Sequence, residues 1–380
     1  MAASCPSSAA VIVVGGGFAG LSTALSLRQH RPQPPVLLIE PKPRFLFLPL
    51  LYELLSGEMK AWEVAPTYSS LLSDRGISLI SARVIRVDTS NQIVTNETGE
   101  EFRYEQLVLA TGSQPDDFGI PGVRDHAIPF QTLEDVVRLR RCLRESRKTK
   151  DDALVIVGAG PAGVELACKA ADMLNSTTEI HLIDLADRIL PHGKAFNRSQ
   201  AESALEQRRV KIHLRTRVIA VRADSVDLGV SGHLYHRGLV WTAGSRPAPP
   251  ELVPPAALEG GRLAIDSDLQ VEGLNNVLAL GDIAQPRQNS WPATAQVAMQ
   301  QGRAAAAAIM AMRRGEDVTP FQFRDLGEML SLGIGGATIT GLGLTLAGPF
   351  AFRLRRLVYA ARMPGLTLGL RSTGSWLLSR

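Results

Sequence analysis

The sequence predicts an α/β protein with two Rossmann-like domains, each built on a parallel β-sheet. Two stretches predict it, 11–20 (VIVVGGGFAG) and 154–163 (LVIVGAGPAG), because each runs from an apolar strand through a Gly-x-Gly-x-x-Gly turn into a helix. The composition agrees, since 34 glycines and only 5% aromatic residues suit helix-covered parallel sheets. With 380 residues, of which 45% are hydrophobic, the chain is long enough for two or three domains.

The first glycine loop contains Gly15, Gly17 and Gly20. In such a loop the first glycine allows the tight turn, the second lets the backbone approach a pyrophosphate, and the third lets the helix pack on the strand. The next apolar run ends at Glu40, about 20 residues past the last glycine, where a carboxylate can accept a hydrogen bond from a ribose hydroxyl. This pattern predicts a dinucleotide site. The alternative is a glycine turn that binds nothing.

The chain between the two loops predicts one apolar lining segment and a small insert. Segment 41–66 is too apolar for an exposed loop and too often broken by proline for one long helix, so we expect it to line a site. A helix over 66–74, strands within 77–88 and pairing strands around Ile93 and Phe102 predict an antiparallel insert. Strand 107–109 ends in Thr111 and Gly112, and such small residues let a cofactor or the chain pass closely.

A basic segment follows at 134–150, with helical spacing and seven Lys or Arg residues. We interpret it as a solvated helix face plus a linker between domains. Nucleic-acid binding is disfavoured, because no aromatic residues are interleaved with the charges.

The second glycine loop contains Gly158, Gly160 and Gly163, and the strand that follows it ends at Asp184. Two complete units, each with an acid at the end of its second strand, predict two dinucleotides. A flavin that exchanges hydride with a nicotinamide explains this pairing, so the predicted cofactors are FAD and NADH or NADPH. A structural repeat without ligands is the alternative.

Two later motifs complete the domains. LVWTAG, ending at Gly244, is the counterpart of LVLATG at 107–112. A proline-rich linker then leads to strand 277–280, which we expect to deliver Gly281 and Asp282 to the head of a helix. There Asp282 could bind the ribityl hydroxyls of a flavin, or act only as a helix N-cap.

The predicted domains follow from these motifs. Residues 1–118 and 254–328 form a discontinuous FAD-binding domain, and 119–253 form the NAD(P)H-binding domain. Residues 329–380 form C-terminal strands plus an amphipathic helix on a membrane surface.

The tail holds no acidic residue after Glu328 and six arginines. Its stretch 329–352 is uncharged and long enough to span a bilayer, but its glycines and Pro349 favour strands packed on the flavin domain. From Phe350 to Ala361 apolar residues keep helical spacing, which predicts an interfacial helix. A core-docked helix or a homodimer contact is the alternative, and Trp376 and Leu377 could add a second anchor.

The cysteines predict neither disulfides nor a metal site. Cys5, Cys142 and Cys168 occur singly and no His cluster is present, which favours a reducing compartment. Only ten residues precede the first strand, so we expect no signal or transit peptide.

Over nearly its whole length the sequence resembles the two-dinucleotide-binding-domain flavoproteins of the disulfide-reductase-like type. Within them it is similar to the type II NAD(P)H:quinone oxidoreductases. The motifs that carry this resemblance are FLFLPLLYELLSGE at 45–58, PFQTLEDVVRLR, LVWTAG, LALGD and PATAQVAMQQG at 292–302. YELLSGE, WEVAP and FQFRDLGEMLSLG are similar to the cyanobacterial and plastid branch associated with demethylphylloquinone reduction.

The resemblance implies an FAD enzyme that passes two electrons from NAD(P)H to a lipid-soluble quinone without pumping protons. It implies a peripheral position on the cytoplasmic or stromal face of a membrane, the thylakoid or plasma membrane in a cyanobacterium. Disulfide reductases and sulfide:quinone reductases fit poorly, because they need a redox cysteine pair. A ferredoxin reductase, or a membrane-associated signalling flavoprotein like apoptosis-inducing factor, shares the glycine motifs and stays as the alternative.

The resemblance also implies roles for single residues. Gln296 and Gln300 share one helix face and would bind the quinone head, although a polar solvent stripe gives the same pattern. Glu165, expected in the first helical turn, would take part in proton transfer, or only balance the helix dipole. Asp184 would favour NADH by repelling a 2′-phosphate, and Arg188 could soften that repulsion.

Overall fold

The computed structural model describes residues 8–145, 153–174, 178–287, 290–364 and 369. Four predictions therefore lie outside the described residues: the second anchor at Trp376 and Leu377, the end of the basic linker at 146–150, the tail arginines Arg371 and Arg380, and Cys5.

The first part of the chain alternates short strands with helices. From residue 8 to 145 the elements are β1 (Ser8–Val14), α1 (Phe18–Leu27), β2 (Val36–Ile39), α2 (Leu51–Ser56), α3 (Ala61–Val64), α4 (Tyr68–Leu72), β3 (Ile77–Ile80), β4 (Val84–Asp88), β5 (Ile93–Asn96), β6 (Glu101–Leu109), β7 (Ser113–Pro115), α5 (Val123–His126) and α6 (Leu133–Glu145).

The second part repeats the alternation and ends in a hairpin sheet and a helix. Its elements are β8 (Ala153–Val157), α7 (Pro161–Leu174), β9 (Glu179–Ile183), α8 (Ala195–Gln207), β10 (Lys211–His213), β11 (Ala220–Val221), β12 (Ser225–Asp227), β13 (His233–Tyr235), β14 (Gly238–Trp241), β15 (Ser245–Pro247), β16 (Glu251–Val253), β17 (Leu258–Glu259), β18 (Arg262–Ile265), β19 (Val277–Ala279), β20 (Ala284–Pro286), α9 (Ala295–Arg314), β21 (Glu328–Ser331), β22 (Ala337–Gly341), β23 (Leu344–Gly348) and α10 (Pro349–Arg362).

The chain divides into two compact units. Unit 1 comprises Met1–Leu46, Ala65–Gln114 and Arg246–Arg324, and unit 2 comprises Phe47–Val64, Pro115–Ser245 and Asp325–Arg380. The apolar segment that we expected to line a site falls largely in unit 2, although it lies between elements of unit 1 in the sequence. The assignment of one cofactor to each domain stays a prediction.

Unit 1 is organised around a parallel sheet. Strands β3, β2, β1, β6 and β19 lie side by side and parallel, with β1 in register with β2 from Val11 to Val14. Helices α1 and α9 pack closely on each other, since a Cβ on Gly302 of α9 would lie 2.5 Å from the carbonyl oxygen of Ala19 on α1. Strands β4 and β5 pair antiparallel with each other and with the start of β6, which is the small insert expected from the sequence.

Unit 2 is organised around a second parallel sheet of four strands in the order β10-β9-β8-β14. A core of Val, Leu and Ile side chains with Trp241 lies against it. The antiparallel strands β11, β12 and β13 form a small patch beside this core.

The C-terminal part of unit 2 is an antiparallel sheet, β21-β22-β23, followed by α10. As expected, residues 329–348 form strands. They pack on helices α7 and α8 of unit 2, which corrects the expectation that they cover the flavin domain. Helix α10 buries Ala351 and Phe352 against this sheet, whereas Phe350 and Leu357 stay 66% and 45% exposed. Within the described residues, no helix combines the length and apolarity required to traverse a bilayer.

We expect Gly163→Ala to destabilise the fold and Gly160→Ala to leave it intact. A Cβ on Gly163 would lie 1.7 Å from the carbonyl oxygen of Gly158, whereas a Cβ on Gly160 meets no atom within 4 Å. Overpacking of this kind costs about 1–3 kcal/mol, so thermal unfolding of the two variants should differ by several degrees. Equal unfolding temperatures would contradict the close contact.

Candidate functional site

The first glycine loop joins β1 to α1 with the geometry of a phosphate loop. Gly15 has φ +97°, and a Cβ there would lie 2.3 Å from the carbonyl oxygen of Ala110. A Cβ on Gly20 would lie 1.9 Å from the carbonyl oxygen of Gly15, so the helix rests directly on the turn. A Cβ on Gly17 meets nothing within 4 Å. The second glycine thus leaves its backbone open to a pyrophosphate at the N-terminus of α1.

Glu40 is held against this loop from the end of β2. Its carboxylate is buried, and it accepts hydrogen bonds from the backbone N–H of Gly16 at 2.7 Å and of Lys42 at 2.9 Å. Sequence analysis missed a further contact, because the Tyr68 hydroxyl donates to the carbonyl of Gly16 at 2.8 Å. Nothing in the local sequence of α4 identifies that tyrosine as a loop contact.

Thr111, Gly112 and Asp282 meet in unit 1 beside the carboxyl ends of β6 and β19. The Thr111 hydroxyl donates to the carbonyl of Ala248 at 2.6 Å, and the carbonyl of Gly112 accepts from Ala248 N–H at 3.1 Å. The carboxylate of Asp282 accepts from the Ser113 hydroxyl at 2.6 Å. Hydroxyl and carboxylate groups gathered in this way suit a polyhydroxylated ligand such as the ribityl chain of FAD.

The expected helix head at Asp282 is wrong. Residues Gly281–Ile283 form only a single 3₁₀ turn, and Asp282 caps no helix with its side chain. Helix α9 begins at Ala295, with Thr294 as its N-cap. Sequence analysis also missed Gln301, whose buried side-chain oxygen accepts from Gly281 N–H at 2.7 Å.

Gln296 and Gln300 lie one turn apart on α9, both half-buried. The structure shows that the Gln300 amide is already engaged. It donates to the carbonyl of Arg324 at 2.9 Å and accepts from Arg324 N–H at 3.0 Å. Gln300 therefore does more than face solvent, since its amide holds the backbone of Arg324 in the segment after α9.

The second glycine loop repeats the first in unit 2. Gly158 has φ +107°, and a Cβ there would lie 2.8 Å from the backbone nitrogen of Ala243. As at Gly17, a Cβ on Gly160 meets nothing, and Gly163 contacts the turn directly. At the corresponding strand end, Gly244 has φ +70°, and a Cβ there would lie 2.3 Å from the Phe118 ring.

Asp184 repeats the role of Glu40 at the end of β9. One carboxylate oxygen accepts from Ala159 N–H in the loop at 2.5 Å, and the other accepts from Ala186 N–H at 2.7 Å. Arg188, expected to offset the charge of Asp184, instead forms two hydrogen bonds with Asp187 at 3.0 and 3.1 Å.

A cluster of buried charged side chains lies in unit 2, where α2, α7 and α10 each contribute to it. Arg355 on α10 is 1% exposed, donates to the carboxylate of Glu53 on α2, and lies 3.5 Å from the carboxylate of Glu165. Lys169, one turn after Glu165, is fully buried and donates to Glu58 at 2.5 Å and to the carbonyl of Gly333 at 3.0 Å. The cluster joins α2, α7 and α10.

Glu165 does not lie where the sequence placed it. It is the fifth residue of α7, beyond the first turn, and it accepts a hydrogen bond at 2.6 Å from Ser331 N–H. Burial raises the pKa of Glu165 to about 7, although Arg355 and the Ser331 N–H oppose the shift. The pKa of Glu53 is lowered, because Arg355 and Lys169 together outweigh the effect of burial. Glu165 is therefore the carboxylate here that can exchange a proton near neutral pH.

Sequence analysis missed the role of Arg355, because it predicted that this helix lies on a membrane surface and kept a docked helix only as the alternative. Helical spacing shows that Arg355 and the apolar stripe lie on different faces, but it cannot tell which face docks. The available signal was the charge of the apolar segment. It carries Glu53 and Glu58, and carboxylates that are buried need cationic partners. In the described ranges no group of three or more His, Cys, Asp or Glu side chains is arranged to hold a metal ion.

The chain matches the model of the pyridine nucleotide-disulphide oxidoreductase family over residues 9–302. It is 38% identical to the demethylphylloquinone reductase NdbB of Synechocystis sp., over 97% of both chains. It is 34% identical to the alternative NAD(P)H-ubiquinone oxidoreductase C1 of Arabidopsis thaliana, over 93% of this chain and 78% of the relative.

Solved structures share the fold. NDH2 from Plasmodium falciparum in complex with NADH superposes with a TM-score of 0.83, at 17% identity over 97% of both chains. The sulfide:quinone oxidoreductase of Aquifex aeolicus superposes with a TM-score of 0.79, at 20% identity over 93% of this chain and 92% of that chain. These matches confirm the predicted fold class.

We expect Glu165→Gln to change how stability depends on pH. The native pKa of about 7 lies above the usual value of 4.5, so the stability that protonated Glu165 contributes is complete below pH 4.5 and is lost as pH rises through 7. As pH rises over this range, wild type should therefore lose stability relative to the variant, whose side chain at this position is neutral at every pH. Thermal unfolding at steps between about pH 4.5 and 8 measures this, with exposed Glu202→Gln as control. A difference independent of pH would contradict the assignment.

Proposed function

Because the chain belongs to the pyridine nucleotide-disulphide oxidoreductase family, and within it to the type II NAD(P)H:quinone oxidoreductases, we propose that it is an FAD-dependent enzyme that transfers two electrons from NAD(P)H to a quinone. The observation that carries the proposal is the duplicated glycine loop, each copy closed by an acid from the following strand. FAD supplies the hydride-accepting and electron-donating chemistry when bound.

The loops provide the binding groups for two dinucleotides. In unit 1, N–H groups at the start of α1 face the pyrophosphate position beside Gly17, and Glu40 offers its carboxylate to a ribose hydroxyl. We assign Asp282 and Thr111 to binding of the ribityl chain. In unit 2, Gly160 and Asp184 repeat this arrangement for the nicotinamide cofactor.

The quinone and proton roles rest on α9 and α7. We assign Gln296 to hydrogen bonding with a quinone carbonyl, and Gln300 to fixing the adjoining backbone at Arg324. Neutral amides suit this task, since they donate hydrogen bonds without the desolvation cost of a charge. Glu165 would hold and release a proton during turnover, because its pKa lies at about 7.

A demethylated naphthoquinone such as demethylphylloquinone is the proposed acceptor, since the relative from Synechocystis sp. is named for that substrate. The test measures steady-state oxidation of NADH and NADPH by the purified FAD-loaded enzyme with demethylnaphthoquinone, plastoquinone and menaquinone analogues. We expect the highest kcat/KM with the demethylated ring. Flavin reduction without turnover of any quinone would instead indicate a signalling flavoprotein.

We further propose that the enzyme lies on a membrane surface. The outer stripe of α10 comprises the exposed Phe350 and Leu357 with the half-buried Leu354 between them, and the exposed Arg353 flanks it. Such a helix can lie in the interface of a bilayer with its arginines at anionic head groups. This position would admit a long-tailed quinone from lipid on the cytoplasmic or stromal side.

We expect Gln296→Leu, which removes the proposed quinone contact, and Gln300→Leu, which releases the adjoining backbone at Arg324, to impair quinone turnover while leaving anaerobic flavin reduction by NADH unchanged. Loss of one hydrogen bond of roughly 1.4 kcal/mol corresponds to about a tenfold lower kcat/KM for the quinone. Rapid-mixing spectroscopy of the flavin separates the two half-reactions, and Gln207→Leu at the end of α8 is the control. An equal fall in both half-reactions would rule out a quinone contact at Gln296.

We expect the double substitution Phe350→Ser with Leu357→Ser to reduce co-sedimentation with anionic liposomes. Deleting the tail is unsuitable, because α10 also carries the buried Arg355. Both side chains are exposed, so the stability cost should stay near 0.5 kcal/mol. Turnover of a long-tailed quinone should fall, and that of a short soluble quinone should persist. Leu258→Ser, at another exposed leucine, is the control.

High salt should weaken the attachment without abolishing it, since burial of apolar side chains is not screened. Unchanged sedimentation of the double variant with liposomes would contradict the proposal. A change from dimer to monomer in the absence of lipid would show that the stripe is instead a contact between two copies.

A further inference from the structure

The backbone after β10 is fixed directly against the loop that carries Asp184. Asp184 N–H donates to the carbonyl of His213 at 2.9 Å, and Thr216 N–H donates to the carbonyl of Asp184 at 3.0 Å. Between them, Arg215 N–H donates to the carbonyl of Ala186 at 2.9 Å. Arg215 therefore extends the β9–β10 pairing past the strand ends, opposite the residues that follow the acid.

Arg215 is held there in an uncommon conformation. Its φ is +52°, in the left-handed region that residues other than glycine seldom adopt. The backbone hydrogen bonds that His213 and Thr216 form with Asp184 flank this turn and hold the backbone of Arg215 in place.

The two arginines near the Asp184 loop, Arg188 and Arg215, differ in their ion-pair partners. Arg188 is bound to Asp187 by two hydrogen bonds. Arg215 is exposed, and within the described residues it forms no ion pair, although after Arg188 it too lowers the pKa of Asp187. Arg215 is thus a cation without an ion-pair partner among the described residues, and its backbone is hydrogen-bonded to the loop that follows Asp184.

We propose that Arg215 binds the 2′-phosphate of NADPH, and thereby lets the site accept NADPH despite the carboxylate of Asp184. The inference rests on the proposed function, in which the loop of unit 2 binds a nicotinamide dinucleotide. In such loops the acid at the strand end contacts the ribose 2′-hydroxyl, and a nearby arginine accommodates a 2′-phosphate. A guanidinium binds phosphate oxygens with two parallel hydrogen bonds, which a hydroxyl cannot replace. Arg215 therefore favours NADPH by binding its 2′-phosphate, whereas Asp184 binds the ribose 2′-hydroxyl of NADH.

The test is calorimetric titration of the oxidised, FAD-loaded enzyme with NADP⁺ and with NAD⁺, which measures binding without turnover. We expect Arg215→Gln to raise the Kd for NADP⁺ about tenfold or more, as for loss of a charge-assisted contact. The Kd for NAD⁺ should stay within about twofold, and high salt should weaken NADP⁺ binding to wild type more than to the variant. Arg209→Gln is the matched control, because Arg209 is also exposed and has a φ of +56°.

The outcomes separate this inference from the proposed function. An unchanged Kd for NADP⁺ in Arg215→Gln, or NAD⁺ binding by wild type without NADP⁺ binding, overturns the role of Arg215 and leaves the enzyme assignment intact. Binding of neither nucleotide by wild type overturns the proposed function itself. Selective loss of NADP⁺ binding in Arg215→Gln, absent in Arg209→Gln, supports both.

Discussion

The contact between the third and first glycines of each loop is the constraint on which both units depend. At Gly20 and at Gly163 an added Cβ would lie within 2 Å of the carbonyl oxygen of the first glycine, 1.9 and 1.7 Å respectively. Because the helix starts this close to the strand, its free N–H groups point into the space beside the second glycine. The acids Glu40 and Asp184 then fasten the same turns through a loop N–H. Turn, helix and acid therefore form one closely packed corner in each unit, the geometry to which we assign pyrophosphate binding.

A second constraint is electrostatic and lies within unit 2. Three carboxylates, Glu53, Glu58 and Glu165, share two buried cations, Arg355 and Lys169. Removing one member of such a cluster leaves another charge buried without a partner, which costs about 3–5 kcal/mol. The C-terminal helix is consequently part of the core of unit 2. Burial raises the pKa of Glu165 although Arg355 and Lys169 oppose the shift, so the cluster that docks α10 also contains the carboxylate to which we assign proton exchange.

Helix α10 has one face that packs on the protein and one that is exposed. The helical spacing of its apolar residues could not show which face is which. Its inner face inserts Arg355 and Tyr359 into unit 2, where the guanidinium lies 4.8 Å from the ring centroid. Its outer face exposes Phe350 and Leu357. The two alternatives weighed for this helix, a docked terminal helix and an interfacial helix, are therefore compatible. One helix face is packed in unit 2, and the other is the exposed face that we propose contacts a membrane.

The sequence by itself determined the fold class, both glycine loops with their acids, the hairpin strands before α10 and the family, because these depend on local spacing and on glycine stereochemistry. Only the tertiary structure decided which side chains meet across distant segments. It engaged Gln300 with Arg324, placed Asp282 in a short turn beside Ser113, paired Arg188 with Asp187, and buried Arg355 against Glu53 and Glu165. Such pairings depend on how the segments pack, since a charge shows its sign in the sequence but not its partner.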